Sequence, residues 1–166
     1  MSAPRIAAAL LVVAAALFAW PRSAEDRVRG VIEGAVMDFA AGRFRSCIAS
    51  LDEGFLDTSS GRKIDRLTLV TALRQLRSGE GSSLYARFPD HEPVEVELDD
   101  PEDPTHASAR FAVEFFSIHP KASYVDPDAP VVWAIEVDAV LRRGDDGAWR
   151  FWRAEHETTA GTAPYR

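Results

Sequence analysis

The segment from residue 131 to residue 157 reads VVWAIEVDAVLRRGDDGAWRFWRAEHE and decides the fold. In residues 131–142 the odd positions are apolar and several even positions are charged, which is the pattern of a strand with one buried face. Residues 143–147, Arg-Gly-Asp-Asp-Gly, are typical of a tight connection between two strands. Residues 148–157 are rich in aromatic side chains and predict the second strand. We therefore expect an antiparallel hairpin at this end of the chain.

Two more strands and three helices are predicted upstream of this hairpin. The strands are Val94 to Leu98, which alternates with acidic residues, and the long apolar run 107–119. Apolar residues recur at helical spacing between Ser23 and Gly42, over residues 44–51, and between Asp65 and residue 79. Helices segregated from hairpin-connected strands predict an α+β fold, with the three helices on one face of an antiparallel sheet. We expect one domain over residues 25–157 and a flexible tail over residues 158–166.

Composition excludes several classes of protein. The chain has 166 residues, a net charge of −7 and 46% hydrophobic residues, which fits a single globular domain. The acidic balance argues against nucleic-acid binding, because a phosphate backbone requires a basic surface. Cys47 is the only cysteine, so no intrachain disulfide is possible. Neither His91 nor His106 has a partner at metal-ligand spacing, and residues 99–103 do not follow a calcium-loop pattern, so we expect no metal or cofactor.

The N-terminal residues 1–24 form a separate segment. Residues 6–20, IAAALLVVAAALFAW, are continuously apolar and lie between Arg5 and Pro21-Arg22. This run is short for a spanning helix, which needs about 20 residues, and it also suits the core of a signal peptide. Cleavage after Ala19 or after Ala24 would place Leu17 or Arg22 where signal peptidase requires a small residue. We therefore expect an uncleaved signal anchor, with a cleaved signal peptide as the alternative. An anchor would hold the domain at the inner membrane of a bacterial cell envelope, outside the cytoplasm, whereas a cleaved signal peptide would make it a secreted protein.

The order of these elements resembles the nuclear transport factor 2-like superfamily, and especially its bacterial SnoaL-like branch. The similarity covers about residues 25–157 and rests on four features. They are the long first helix EDRVRGVIEGAVMDFAAGRF, the phrase CIASLDEGFLDTSSG, the third helix opened by Asp65-Arg66, and the ending in which a Gly/Asp hairpin leads to Trp149-Arg150-Phe151. The resemblance implies a cone-shaped domain in which the three helices are packed in a strongly curved antiparallel sheet, with a pocket at the open end. It also implies either an isomerase, dehydratase or cyclase that works by acid–base chemistry, or a non-catalytic binding domain.

Candidate pocket residues follow from the predicted register of the strands. If Leu141 pairs with Trp149, and His119 lies near Val131, polar side chains gather at one end of the inward sheet face. Asp57 joins them, because some relatives place an acid just after the second helix. The candidates are Asp57, Phe115, Ser117, His119, Trp133, Arg153 and Glu155. The alternative is that these are frayed strand ends with a solvent-exposed Arg153–Glu155 pair, since a one-residue slip would turn the whole set outward.

Two functions are compatible with this sequence. The first is an envelope-tethered, non-catalytic domain that binds a small apolar ligand or a protein partner. The second is an acid–base enzyme acting on a polycyclic or carbonyl compound, with Glu155 or His119 moving the proton. We favour the first, because no Asp–Tyr or Asp–His pair is evident in the sequence, and we assign no catalytic residue. The outer sheet face, to which one of Trp149 and Trp152 points, is a candidate homodimer contact.

Overall fold

The computed structural model describes residues 23–59, 61, 63–78, 83–90, 92–118 and 129–162. These residues form three helices and seven strands. The helices are α1 (Ala24–Ala40), α2 (Phe44–Ala49) and α3 (Arg66–Ser78). The strands are β1 (Leu51–Asp57), β2 (Ile64–Asp65), β3 (Ser83–Arg87), β4 (Glu95–Leu98), β5 (His106–Ile118), β6 (Val131–Arg143) and β7 (Trp149–Gly161).

The ends of the helices are fixed by the residues that the sequence indicated. The Ser23 side chain accepts a hydrogen bond from the Asp26 backbone N–H, and the Asp26 carboxylate accepts one from the Ser23 N–H, which completes a capping box. After α1, Gly42 takes a positive φ of 70°, where a side chain would be strained. Asp65 caps α3 by accepting from the Thr68 N–H at 2.9 Å.

The strands form one sheet in the order β2–β1–β7–β6–β5–β3, and β4 pairs with the same edge of β5 as β3 does. The three helices and the predicted β4 to β7 are present, whereas β1, β2 and β3 were not predicted. No strand was predicted for β1, because Asp52, Glu53 and Gly54 are residues typical of turns. The sheet is also not wholly antiparallel, since β1 runs parallel to β7.

The predicted register of the three long strands was wrong. Leu141 pairs with Phe151 and not with Trp149, and Phe115, not Ser117, pairs with Trp133. The Leu141 pairing differs by two residues because the ladder extends to Arg143 and Trp149 at the hairpin, and a shift of two leaves the faces unchanged. A separate irregularity lies between Val140 and Leu141, where β7 contributes the additional residue Trp152. Because side chains alternate along a strand, one additional residue exchanges the two faces for all residues that follow it.

The core lies between the helices and the inner face of the sheet. Val28 and Ile32 of α1 and Leu141 of β6 are fully buried there. As predicted, Trp133 points inward and is 3% exposed, whereas Glu136 is on the exposed face. β7 continues to Gly161, four residues beyond the predicted domain boundary at 157, because β6 is long enough to pair with it up to Trp133. Among the described residues, no helix is long and apolar enough to cross a membrane, and the predicted anchor at residues 6–20 lies outside them.

Candidate functional site: an apolar cup with an Asp–Ser–His cluster

An apolar cup opens between the helices and the inner face of the sheet. Its volume is about 310 Å³, within the range of small-molecule sites. Side chains of all three helices and of β1, β5, β6 and β7 line it, and most of them are aliphatic or aromatic. Representative lining residues are Ile32, Val36, Phe39, Leu69, Leu73, Phe111, Val113, Ile135 and Phe151. Such a wall favours a ligand that is itself largely apolar, because its burial removes apolar surface from water.

Aromatic rings form a continuous wall on one side of the cup. The rings of Phe115 and Trp133 stack, with centroids 4.6 Å apart and an interplanar angle of 22°. Phe39 meets Phe115 edge-on at 5.9 Å, and Trp133 meets the imidazole of His156 edge-on at 6.2 Å. The Trp133 indole N–H donates to Thr158 Oγ1 at 3.1 Å, so its orientation is fixed. The wall therefore presents rigid ring faces and edges beside His156.

Asp57 and His156 lie in the wall of the cup, and Ser59 connects them to form a polar cluster. The Ser59 hydroxyl contacts both partners, hydrogen-bonding to Asp57 Oδ1 and lying 2.5 Å from His156 Nδ1. Asp57 Oδ2 is 3.6 Å from the same ring nitrogen. Ser59 Oγ also accepts the backbone N–H of His156 at 2.7 Å. The hydroxyl thus connects the carboxylate to the imidazole.

Local backbone structure explains why these three residues meet. Asp57 is the last residue of β1, and its Oδ1 accepts the Ser59 N–H at 2.8 Å, closing an Asx turn. The Thr58 N–H donates to Ala154 O at 3.1 Å, which joins this turn to β7. The parallel pairing of Asp57 with Ala154 then brings His156 beside it. The Gly61 N–H donates to Thr58 O at 3.1 Å, so a turn follows β1 and positions the cluster.

Asp57 is 5% exposed, yet its environment favours the charged form. Burial would raise the pKa of its carboxyl group, but the neighbouring imidazole of His156 and the hydrogen bonds from Ser59 outweigh this and hold the pKa below its ordinary value. Asp57 is therefore an ionised carboxylate at neutral pH. A carboxylate of this kind is a weak base, but it stabilises positive charge on a neighbouring imidazole.

The cup also contains Cys47, which is buried and lies on the wall formed by α2. Burial, together with the charge of Asp38, raises the pKa of its thiol to about 11. Cys47 is thus a neutral apolar wall residue. Within the described part of the chain, no group of three or more His, Cys, Asp or Glu side chains is placed to hold a metal ion.

The predicted site residues divide between the two faces of the sheet. Asp57, Phe115 and Trp133 line the cup. Arg153 and Glu155, predicted to face inward with them, instead line a second concavity of about 590 Å³ together with Glu95, Glu97 and Arg110. Ser117 is exposed and pairs with Leu84 of β3, and His119 lies outside the described residues.

The outer concavity is larger than the cup but offers less to a ligand. It is open and lined by charged side chains that pair with one another. Arg110 bonds Asp138 at 2.9 Å and approaches Glu136 at 3.4 Å, and the Arg153 guanidinium stacks over the Trp152 ring at 4.6 Å. Exposed ion pairs of this kind contribute little and are screened by salt. We therefore identify the cup as the candidate site.

Ser59 and His156 were not identified from the sequence. His156 belongs to the predicted last strand, but strict alternation placed it outward. The additional residue Trp152 exchanges the faces, so that Ala154 and His156 point into the cup while Arg153 and Glu155 point out. The available signal was the presence of three aromatic residues, Trp149, Phe151 and Trp152, at the start of this strand. Because Phe151 and Trp152 are adjacent, strict alternation cannot bury all three.

Comparison with known proteins supports the fold at low sequence identity. No protein-family model matches the chain, and no curated protein sequence matches it. A scytalone dehydratase-like protein of Novosphingobium aromaticivorans has a similar structure, with a TM-score of 0.63 and 14% identity over 86% of this chain and 87% of that one. A nuclear transport factor 2-like protein with a cystatin-like fold, from the same organism, gives a TM-score of 0.61 and 15% identity over 98% and 93%.

A third similar structure carries a small molecule. It is a protein of Catenulispora acidiphila in complex with S-DNPA, with a TM-score of 0.57 and 18% identity over 86% of this chain and 94% of that one. Together these similarities show that the chain has the nuclear transport factor 2-like fold, as its sequence resemblance predicted. At such identities they show the fold, and the chemistry has to be argued from the cup itself.

Proposed function

We propose that this protein binds a small, largely apolar molecule in the cup and catalyses proton transfer on it, with His156 as the general acid–base and Asp57 as the carboxylate that stabilises its charged form. The observation that carries the proposal is the connected Asp57–Ser59–His156 cluster, of which Asp57 and His156 line a largely apolar cavity. A buried carboxylate is costly unless it is satisfied, and Ser59 donates to the buried Asp57 through both its hydroxyl and its backbone N–H.

The chemical nature of the side chains that line the cup indicates the class of substrate. Apolar side chains and ring faces favour a compound with one or more fused rings, and the single polar cluster favours one carbonyl or hydroxyl group beside it. For a cyclic ketone, the imidazole removes the proton next to the carbonyl carbon, and the electron pair of that C–H bond moves toward the carbonyl oxygen. The imidazolium then returns a proton to carbon or oxygen. Asp57 stays ionised throughout, because hydrogen bonds hold its pKa low.

Non-catalytic binding, which the sequence favoured, is the second candidate. It draws support from the same apolar cup and from the solved relative in complex with S-DNPA. The reason for preferring it was the lack of an evident Asp–His pair, and Asp57 and His156 now supply one. The two candidates differ in a single measurable property, the transfer of a proton to or from the bound molecule.

An exchange experiment with a simple bicyclic ketone, 2-tetralone, separates these candidates. In D₂O, the protons next to its carbonyl group exchange slowly, and their loss is followed by NMR. We expect the full-length protein to accelerate this exchange above the buffer rate with saturation in ketone. His156→Phe, which keeps a ring in the wall, should abolish the acceleration while retaining binding.

Two further variants test whether the reaction occurs in the cup. Ala72 of α3 lines the cavity, so Ala72→Trp should fill it and prevent both binding and exchange. Ala49→Trp, at an exposed position of α2, is the matched control and should leave both unchanged. Binding without accelerated exchange would leave the non-catalytic function, and failure to bind would remove the cup as a site.

We further propose that the domain works at the bacterial cell envelope, held there by residues 6–20. The support is the apolar run itself, which lies outside the described residues. The intact mass of the protein from isolated membranes tests this proposal. A mature chain beginning near residues 20–25 would contradict the anchor and favour a cleaved signal peptide. The homodimer through the outer sheet face stays a prediction, which sedimentation of the full-length chain would test.

A further inference from the structure

Ser59 occupies an unusual position between the acid and the imidazole of the cup. In the described structure, Asp57 Oδ2 is 3.6 Å from His156 Nδ1, beyond the usual length of a hydrogen bond. The Ser59 hydroxyl lies closer to both residues and contacts each of them. The carboxylate therefore acts on the ring through a hydroxyl group.

The hydrogen bonds of the Ser59 hydroxyl determine which ring nitrogen of His156 carries a hydrogen. Ser59 Oγ has one hydrogen to donate and can accept two hydrogen bonds. It already accepts one from the His156 backbone N–H at 2.7 Å. An ionised carboxylate has no hydrogen, so the contact with Asp57 Oδ1 requires the Ser59 hydrogen. No hydrogen of Ser59 then remains for the contact with Nδ1, and that contact must use a hydrogen on the ring nitrogen.

We propose that Ser59 is a positioning residue that holds the neutral His156 ring as the Nδ1–H tautomer and leaves Nε2 as the nitrogen that exchanges a proton with the bound molecule. The proposal deepens the proposed function, because it names the atom at which the proton is exchanged. It also makes the Asp57 charge effective at a distance, through two consecutive hydrogen bonds from Nδ1 to Oγ and from Oγ to Oδ1.

The opposite tautomer, in which Nδ1 of His156 carries no hydrogen, does not fit the same set of hydrogen bonds. A Ser59 hydroxyl that donated to Nδ1 would leave two acceptor oxygens facing each other at the Asp57 contact, unless Asp57 were protonated. The bonds that Asp57 accepts from the Ser59 N–H and from the cluster favour its ionised form. The same arrangement persists when the ring is charged, because Nδ1 carries a hydrogen in the imidazolium as well. A proton therefore enters and leaves His156 at Nε2 in either direction.

Nitrogen-15 NMR of the imidazole rings tests this directly and needs no substrate. The full-length protein, labelled with ¹⁵N, is measured at about pH 8.5, where an ordinary imidazole is neutral. We expect a pyrrole-type shift for Nδ1 of His156 and a pyridine-type shift for Nε2. A pyridine-type Nδ1 in the unaltered protein would overturn the assignment, whatever the variants do.

Variants of Ser59 then test its role. In Ser59→Ala the nearest acceptor for Nδ1–H is lost, so we expect the neutral ring to divide between its two tautomers. Ser59→Thr keeps the hydroxyl and should restore the Nδ1–H form. If His156 remained entirely Nδ1–H in Ser59→Ala, Asp57 alone would fix the ring and the proposal would be wrong. His106, whose Nδ1 is 3.0 Å from Thr105 Oγ1, gives an internal control in the same spectra that should not change.

The tautomer measurement and the exchange measurement test the role of Ser59 and the proposed function independently. An Nδ1–H tautomer that depends on Ser59, in a protein that does not accelerate 2-tetralone exchange, would support this inference and contradict catalysis on that ketone class. Accelerated exchange by a protein whose Nδ1 is not protonated would support catalysis and contradict the role given to Ser59.

Discussion

The indole of Trp133 stacks on the ring of Phe115 at a centroid separation of 4.6 Å, and the two rings form part of the aromatic wall of the cup. The two residues come from β6 and β5 and are directly paired across these strands. Cross-strand aromatic pairs stabilise a sheet, and this pair also lines the cup. The same contact therefore serves the stability of the domain and the shape of its site.

Trp133→Ala should be strongly destabilising. Trp133 is 3% exposed, and truncation of a large core aromatic costs about 3–5 kcal/mol of unfolding free energy. Glu136→Ala, three residues along the same strand but on the exposed face, should change it by about 1 kcal/mol or less. Urea denaturation of the two variants measures the difference, and equal losses would show that the assignment of the strand faces is wrong.

The stability of the domain should fall on acidification, and Asp57 should be one reason. Its carboxyl pKa is lower in the folded protein than its ordinary value, so it contributes stability that is complete above the unfolded-state value of about 3.9. That contribution is lost as the pH falls from there through the lower folded-state pKa. Urea midpoints measured from pH 7 down to pH 3 should therefore fall less steeply in Asp57→Asn than in the unaltered protein. Asp145→Asn, which removes the same charge from the exposed hairpin, is the control and should keep the steep fall.

Cys47 should react slowly with thiol reagents while the protein is folded. Its pKa is raised from 9.0 to about 11, and the thiolate is the reactive form. At pH 8 this lowers the thiolate fraction by about 100-fold relative to the unfolded chain. The rate of colour release from Ellman's reagent, with and without denaturant, gives the comparison. Similar rates in the two conditions would indicate that α2 is not packed against the cup.

The capping box of α1 should contribute measurably to stability. Ser23→Ala removes the side-chain acceptor for the Asp26 N–H, and loss of such a cap costs about 1 kcal/mol. Ser46→Ala, at an exposed position of α2, makes the same chemical change without removing a cap and serves as the control. Thermal unfolding followed by circular dichroism should separate the two variants.

The residues that were predicted correctly share a physical property: their signals are local. Helix caps at Ser23 and Asp65 depend on neighbours within three residues, and alternation in residues 131–141 reports one buried face. The face that His156 occupies depends instead on one additional residue, Trp152, in the pairing of two strands. The position of Asp57 depends on β1 lying parallel to β7, and no local pattern specifies which strands become neighbours. Most of the fold was thus accessible from sequence, whereas two of the three members of the Asp57–Ser59–His156 cluster were not.

The pairing of β1 with β7 has a consequence for the order in which the protein is made. Asp57 and Ser59 emerge early from the ribosome, whereas His156 lies on the last strand, so the two halves of the cluster are separated by most of the domain during synthesis. Contacts between distant parts of a chain close large loops and form slowly. Until β7 is in place, the turn after β1 lacks its bond from Thr58 to Ala154, and β1 has an unpaired edge. A nascent chain that ends before residue 149 therefore lacks the Asp57–Ser59–His156 cluster, and the last strand to be synthesised is the one that completes it.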